Sequence, residues 1–527
     1  MERVVLPWAS LGHLLEKAAA QYGDRSLIRF EGATISFAAA NRRASQVANA
    51  LLSLGLQKGD RVAVMLPNGT EFPVLWLGIA RAGLVMVPVN TEYQEQDLEY
   101  VLRDSEAACL LIHCEFVDRL ERVRPRLSSL AHILIAGGHA SAADSLETRI
   151  ETAAATLPQV DVAESDLINI QYTSGTTGLA KGCMLTHRYW LLMGHTARMA
   201  IDIRPGDVHF NAQPFYYMDG QWNLTLCLIA GVPLVLVPRF SVTGFWKTVV
   251  DNGVTFFYCL GTMPLMLLNR EPDELERHHK VRAVSCSGIV PAMHATIEER
   301  FNCPWREGYG TTESGTDMFV PFSDSESVGS GALGKPIQSK EARIVDTAGH
   351  DVPRGSIGEL LMRGEPMMLG YWRRPEATAE VMRDGWFHTG DLCLQDERGY
   401  YHLVGRVKDM VRRSGENIST AEVEGVLAQH PKVKIAAVVP VPDPIRGEEV
   451  KAYVVLREAA WRETVPPQEL VDFVRGRLAA FKAPRYVQFV EALPMTPSER
   501  VEKHKLIKSS QDLRGGSYDA TTGKWVL

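Results

Sequence analysis

From Leu11 to Pro88 the chain alternates between two hydrophobic periods, and this restricts its fold more than any other feature. Helix-period stretches (LGHLLEKAAAQYG, AANRRASQVANALLSLG, EFPVLWLGIARAG) are interleaved with short apolar runs (SLIRF, DRVAVML, VMVPV). Strand and helix in turn, with strands apolar throughout, predict a largely parallel sheet covered by helices, because parallel neighbours need a long crossover between them. The pattern resumes at Cys109, His132, Leu167, Val254 and Val281. Beyond Gly329 the texture changes to short strands separated by Gly and Asp turns, as in RGSIGELLMRG and DERGYYHLVGR, which predicts a β-rich subdomain. From Asp409 onward a smaller α+β unit is predicted, with strands at Met410–Arg413, Ile435–Pro440, Glu449–Leu456 and Tyr486–Val490 and helices at Ala421–Gln429 and Pro467–Ala479. The expected class is α/β: an N-terminal domain over 1–404 of helix-covered, mostly parallel sheets with a β-rich subdomain, a boundary at 405–408, and a small C-terminal α+β domain over 409–527. A chain of 527 residues has room for two or more packed units, and 46% apolar with 23% charged residues is the balance of an ordered globular protein.

The net charge, 56 − 63 = −7, supplies no overall field for nucleic acid or anionic lipid, so an anionic ligand must be held locally. The eight cysteines lack C-x-x-C spacing, and the N-terminus shows no basic segment leading into an apolar stretch and cleavage site. Reduced thiols and a cytoplasmic location are expected. The uncharged run from Gly220 to Pro238 contains Gln221 and Asn223 and is divided by Gly231-Val232-Pro233. It reads as a buried helix followed by a strand, with no integral membrane association.

Directly after the apolar run Leu167–Ile170 comes Gln171-Tyr-Thr-Ser-Gly-Thr-Thr-Gly-Leu-Ala-Lys-Gly182. Hydroxyls, glycine amides and one lysine at this density suit a phosphate-cradling loop, the alternative being a Ser/Thr/Gly surface loop. A Walker loop is excluded at two positions: counting from Gly175, Ala180 stands at the second glycine, and Lys181 is followed by Gly182.

This loop resembles the signature of the adenylate-forming superfamily, which includes acyl-CoA synthetases, luciferases and peptide-synthetase adenylation domains. Other blocks occur in the family's order: Glu307-Gly-Tyr-Gly-Thr-Thr-Glu313, Gly385-Trp-Phe-His-Thr-Gly-Asp391, Gly405-Arg-Val-Lys-Asp-Met410 and Arg413-Ser-Gly-Glu-Asn-Ile-Ser-Thr-Ala-Glu-Val-Glu424. The resemblance implies an ATP-dependent ligase joining a small-molecule carboxylate to coenzyme A through an acyl-adenylate, with Mg²⁺ as the metal. Gathering a carboxylate and a triphosphate requires cations and oriented donors. Thr173, Ser174, Gly175, Thr176, Thr177, Gly178 and Lys181 would then hold phosphates together with Thr312. Glu313 and Thr176 would bind the metal. Gly288, Tyr309, Gly310 and Thr311 would line the nucleotide, with adenine on the Tyr309 ring. Asp391 and Arg406 would hold the ribose. Lys408 would be the hinge of a mobile C-terminal lid, and Gly415 would admit the pantetheine arm, an ordinary turn glycine being the alternative.

Segment Gln213-Pro-Phe-Tyr-Tyr-Met-Asp-Gly-Gln-Trp222, with Ser285-Cys-Ser-Gly-Ile-Val-Pro291, is most similar to the crotonobetaine/carnitine-CoA ligase branch. Tyr216, Tyr217, Asp219 and Trp222 could receive a quaternary ammonium or could simply pack the core beneath the loop. Medium-chain, branched and aromatic acids stay open. One stretch departs from the family: a gapless alignment puts Arg500, in Thr496-Pro-Ser-Glu-Arg500, on the catalytic lysine of Thr-Pro-Ser-Gly-Lys, with Lys503, three residues on, as the alternative holder of that role and a solvated surface charge as the other reading of Arg500. Two further readings are a stand-alone enzyme loading a carrier protein, although no carrier domain follows, and a nucleotide-binding protein that no longer completes catalysis. An oligomer is compatible with the sequence.

Overall fold

The computed structural model describes residues 3–138, 141, 144–173, 180–260, 262–407, 410–413, 416–444, 446–478, 480–495, 501–508 and 512–526. The chain divides into two units. One takes in most of the first 342 residues together with Met362–Phe387, and the other takes in Arg343–Leu361 and His388 onward.

In the first unit the alternating pattern builds two sheets rather than one. A six-stranded sheet runs in the order His132–Ala136, Cys109–His113, Arg61–Met65, Val85–Pro88, Leu167–Thr173, Lys181–Thr186. All neighbours in it are parallel except the last pair, a hairpin in which Thr173 faces Lys181. The second sheet has a parallel series Trp305–Thr311, Ala283–Ser287, Phe256–Leu260, His209–Asn211, Leu234–Leu236, Ser26–Phe30. Antiparallel strands Gly315–Phe319 and Ala33–Ser36 flank it. Strand Ala33–Ser36 was not foreseen. It is largely exposed and carries no continuous apolar signal, so only its pairing with Ser26–Phe30 makes it a strand.

Between the sheets, helices Leu11–Tyr22, Phe37–Leu52, Glu71–Arg81, His187–Ile201 and Met218–Ala230 form the largest core, around Trp76, Trp190, Phe37 and Phe215. The uncharged run folds as expected: helix Met218–Ala230 ends at Gly231, whose φ of +68° is the left-handed cap that glycine adopts cheaply, and strand Leu234–Leu236 follows. Both halves are buried. Among the described residues no helix is long and apolar enough to cross a membrane. All eight cysteines are free thiols, and all but Cys114 are buried.

In the second unit, Val433–Asp443 and Gly447–Leu456 form a long antiparallel pair. Gly447–Leu456 also pairs with Met410–Arg413 and, in parallel, with Tyr486–Phe489. Helices Thr420–Ala428 and Pro467–Arg475 cover this sheet through Val423, Leu427, Leu470 and Val474. Helix Pro467–Arg475 ends at the cap residue Gly476, before its expected end at Ala479, where the Arg477 amide bonds the Val474 carbonyl three residues back and tightens the last turn. The chain end adds the short pair Tyr518–Asp519 and Lys524–Trp525, too brief to be read from sequence.

Candidate active site

Parallel strands leave their carboxyl ends on one edge of a sheet, where ligands of open α/β folds are held. Here strand Trp305–Thr311 delivers Tyr309, half-buried, and turns back at Thr312 and Glu313 into strand Gly315–Phe319. The turn is held from beneath. The Thr311 hydroxyl lies 2.9 Å from that of Ser314 and accepts the Ser314 amide, and Ser314 Oγ donates to Asp317 at 2.5 Å. Asp317 pairs with Lys340 at 3.1 Å, both side chains fully buried, and Lys340 also donates to the Ser314 carbonyl at 2.7 Å. A Cβ on Gly310 would come within 2.1 Å of the Gly315 carbonyl oxygen, so the hairpin itself requires glycine there. Tyr189 Oη donates to the Thr312 carbonyl at 3.0 Å. The Thr312 hydroxyl reaches Met218 Sδ at 3.5 Å, bringing the start of helix Met218–Ala230 beside the turn.

Glu313 Oε1 accepts the Tyr371 hydroxyl at 2.8 Å. Segment 369–372 runs along strand Lys181–Thr186, bonding Leu369 to Met184 and Trp372 to Gly182, which sets Tyr371 opposite Cys183. Burial, and then the neighbouring Glu313 carboxylate, hold the Tyr371 phenol far above its ordinary range, so it remains a neutral donor. Lys181 Nζ sits 4.9 Å from the centre of the same ring. Glu313, Tyr371 and Lys181 thus form one cluster. Sequence reading singled out its two charged members and missed the phenol, which sits unmarked in the apolar run Met367-Met-Leu-Gly-Tyr-Trp372.

The candidate acyl-binding residues also gather. Tyr216 and Tyr217 stand with ring centres 4.8 Å apart, and Asn90 donates to the Tyr217 hydroxyl at 3.2 Å. Asp219, in the first turn of helix Met218–Ala230, takes the Trp222 indole N–H at 3.4 Å, and Trp222 meets Tyr258 edge-on at 5.2 Å. The loop carrying both tyrosines is fastened by buried amides that were not anticipated. Asn68 Oδ1 accepts the Phe215 amide, Gln171 donates to the Tyr216 carbonyl at 2.8 Å, and Gln221 Nε2 reaches the Phe215 carbonyl at 3.3 Å.

In the second unit Asp391 faces Arg406 across the hairpin of Trp386–Gln395 and Tyr401–Arg406, with Nε 2.8 Å from Oδ1. Lys503 donates to Thr420 Oγ1 and pairs with Glu424, both at 2.7 Å. Ser174, Gly175, Thr176, Thr177, Gly178, Lys408, Gly415 and Arg500 lie outside the described residues.

Residues 15–372 match the model of the AMP-binding enzyme family, and residues 422–500 match the AMP-binding enzyme C-terminal domain. The chain belongs to the AMP-binding enzyme family. It is 33% identical to a long-chain-fatty-acid–CoA ligase of Salmonella typhimurium, an alignment covering 95% of this chain and 94% of that protein. It is 31% identical to a crotonobetaine/carnitine–CoA ligase of Salmonella paratyphi B, covering 94% and 98%. Among solved structures it is similar to ATP-bound MatB from Rhodopseudomonas palustris, with TM-score 0.86, 30% identity and coverage of 95% and 99%. It is also similar to the anthranilate CoA ligase AuaEII in complex with anthranoyl-AMP, with TM-score 0.86, 27% identity and coverage of 96% and 98%. The first of these matches spans the Glu313–Tyr371–Lys181 cluster and the Tyr216–Trp222 segment.

Proposed function

We propose that the chain is an ATP-dependent acyl-CoA ligase that works in two steps. A carboxylate oxygen of the acid attacks the α-phosphorus of ATP, forming acyl-AMP as pyrophosphate leaves. The sulfur of CoA then attacks the acyl carbon, forming the thioester as AMP leaves with the bonding electron pair. The observation that carries this reading is the Glu313–Tyr371–Lys181 cluster: an acid on the hydroxyl and a cation over the ring of one phenol, beside a strand end that presents a flat ring.

Among the described residues no group of three or more His, Cys, Asp or Glu side chains could hold a metal. A single carboxylate therefore suits an ion carried largely by phosphates and water, which is the habit of Mg²⁺. Glu313 would hold it, with Thr176 as a second ligand, and the ion would neutralise charge on the phosphates. Tyr371 fixes the direction of the Glu313 carboxylate. Lys181 lends positive charge for the phosphates, Tyr309 a face for adenine, and Asp391 an acceptor for the ribose hydroxyls, oriented by Arg406. Lys408 is read as the hinge, with 409–527 as the lid, and Gly415 as the passage for pantetheine.

For the acid, the Asp219–Trp222–Tyr258 group favours a short substrate with a polar or cationic end over a long alkyl chain. A carboxylate and an indole N–H at the start of a buried helix suit a polar group better than methylenes. The thiol inventory and charge balance agree with a cytoplasmic location. Pyrophosphate release over a panel of acids, with and without CoA, tests the whole reading. Release followed by CoA-dependent thioester formation supports it; release with no thioester points to a carrier protein as acceptor, and no release with any acid overturns it. A preference for long-chain acids over short polar ones overturns the assignment of the acid.

A further inference from the structure

Strands Ala283–Ser287 and Trp305–Thr311 run parallel with Cys286 opposite Glu307. Just beyond them the chain makes the turn Ser287-Gly288-Ile289, in which Gly288 has φ +96°, a conformation that disfavours any side chain. Three side-chain bonds fasten this turn to the strand. Ser287 Oγ donates to the Gly308 carbonyl at 2.7 Å. The other two end on one carboxylate, where Glu307 Oε1 takes the Gly288 amide at 2.5 Å and Oε2 takes the Ile289 amide at 2.7 Å. Glu307 is itself buried. Because side chains two apart on a strand share a face, Glu307 projects to the same side as Tyr309.

We propose that Glu307 is a positioning residue for the nucleotide, its ionised carboxylate gripping both amides and so fixing the Gly288–Ile289 turn at the distance from Tyr309 that admits the adenine base. The proposal rests on the reading of Gly288 and Tyr309 as nucleotide-binding residues. The grip needs the charge. A carboxylate offers acceptors to both N–H groups at once, whereas a protonated acid turns an O–H toward one of them. Among the described residues Tyr258 and Cys286 face Glu307, and burial holds both neutral, so neither sets a second negative charge beside it. Burial pushes the Glu307 carboxyl up to about 7, while the two amide bonds pull the other way. The grip is therefore complete in mildly alkaline solution and is lost as pH falls through about 7.

The test is the ATP affinity of the full-length protein, measured by calorimetry from pH about 6 to about 9, for wild type, Glu307→Gln, Glu307→Asp and Tyr309→Ala. Taking the ratio of wild-type to Glu307→Gln affinity cancels the titration of ATP itself. The ratio is expected to be about tenfold at the alkaline end and to fall toward one as wild type protonates, since the glutamine amide turns an N–H toward one of the donors at every pH. The KM for ATP should rise more than the KM for the carboxylic acid. A ratio that does not change with pH overturns the proposal and leaves Glu307 a packing role. Tyr309→Ala separates the two readings: weakened ATP binding beside a flat ratio defeats the Glu307 proposal alone, and ATP affinity unchanged within twofold defeats the nucleotide reading of the segment. Should Glu307→Gln not fold, Glu307→Asp decides. It keeps the charge but is too short to reach both amides, so its affinity should be reduced at alkaline pH; wild-type affinity throughout overturns the proposal.

Discussion

Two carboxylates, one in each unit, are held in opposite ways. Glu449, 1% exposed, is surrounded by cations: Arg413 at 2.6 Å, Arg446 at 3.4 Å and Arg485 at 3.5 Å. Glu313, among the described residues, forms no ion pair and takes its hydrogen bond from the neutral phenol of Tyr371. The Lys181 ammonium lies against that same ring. A carboxylate already neutralised by resident arginines serves the fold, because its charge is spent in holding strands together. One that is oriented by a neutral donor keeps its charge for a ligand that arrives later. The difference separates a structural acid from a functional one more sharply than burial does.

The largest effect expected from breaking this comparison is on stability. Glu449→Gln takes the anion from Arg413 and Arg446, while Arg485 keeps Asp443 and Asp519, and removing one partner of a buried pair typically costs about 3–5 kcal/mol. Denaturant unfolding of the full chain should show that loss. Glu313→Gln should unfold at nearly the wild-type denaturant concentration while cutting pyrophosphate release by about 10²–10³-fold, since an amide is a poor ligand where negative charge collects. Equal destabilisation by the two variants would erase the distinction. Near-normal pyrophosphate release by folded Glu313→Gln would remove it from the chemistry.

Of this contrast only Glu313 was singled out from the chain before any coordinates, and its partner groups were not. Glu313, Lys181 and Asp391 sit inside ordered blocks whose resemblance to the family implies phosphate and ribose binding. The alternation over Leu11–Pro88 announced the parallel strands, and Gly231 announced the break between helix Met218–Ala230 and strand Leu234–Leu236. What stayed hidden depends on pairing between distant segments. Tyr371 reaches Glu313 only because residues 369–372 lie along strand Lys181–Thr186, and no local periodicity encodes that pairing. The division of the strands between two sheets was hidden for the same reason: periodicity reports which residues are buried, not which strand lies alongside. The amides of Asn68, Gln171 and Gln221 look like surface residues by type and become legible only when the carbonyls they serve are in view.

A finer cut replaces Tyr371 with phenylalanine. The ring, and with it the Lys181 contact, is retained, while the Glu313 carboxylate loses its orienting donor. A hydrogen bond to a charged group is worth about 1.5–3 kcal/mol, so adenylation should slow by about tenfold or somewhat more, chiefly in kcat. Stability should change little, because Glu313 is only partly buried and water can take the place of the lost donor. A variant with wild-type kcat would show that Glu313 is positioned by the turn alone, through Thr311, Ser314 and the Asp317–Lys340 pair.

The smallest expected effect concerns the second unit. Lys503 resembles Glu449 more than Glu313: it is already engaged, pairing with Glu424 and donating to Thr420 on helix Thr420–Ala428. To serve the phosphates it would have to give up both partners. A gapless alignment sets Arg500 at the family's lysine position, where a planar guanidinium would grip oxygens but not mimic a compact ammonium approaching two groups at once. Arg500→Lys should therefore raise the adenylation rate by a few-fold. Arg500→Ala should lower it without changing thioester formation from supplied acyl-AMP. Lys503→Ala should cost the second unit about 1 kcal/mol of stability, as a partly exposed pair does, and leave adenylation near normal. Pyrophosphate release measured beside the second half-reaction in all three variants decides the matter. If Lys503→Ala stops adenylation and Arg500→Ala does not, the helix gives up its lysine during the reaction, and the engaged residue, not the one at the family position, carries the charge to the phosphates.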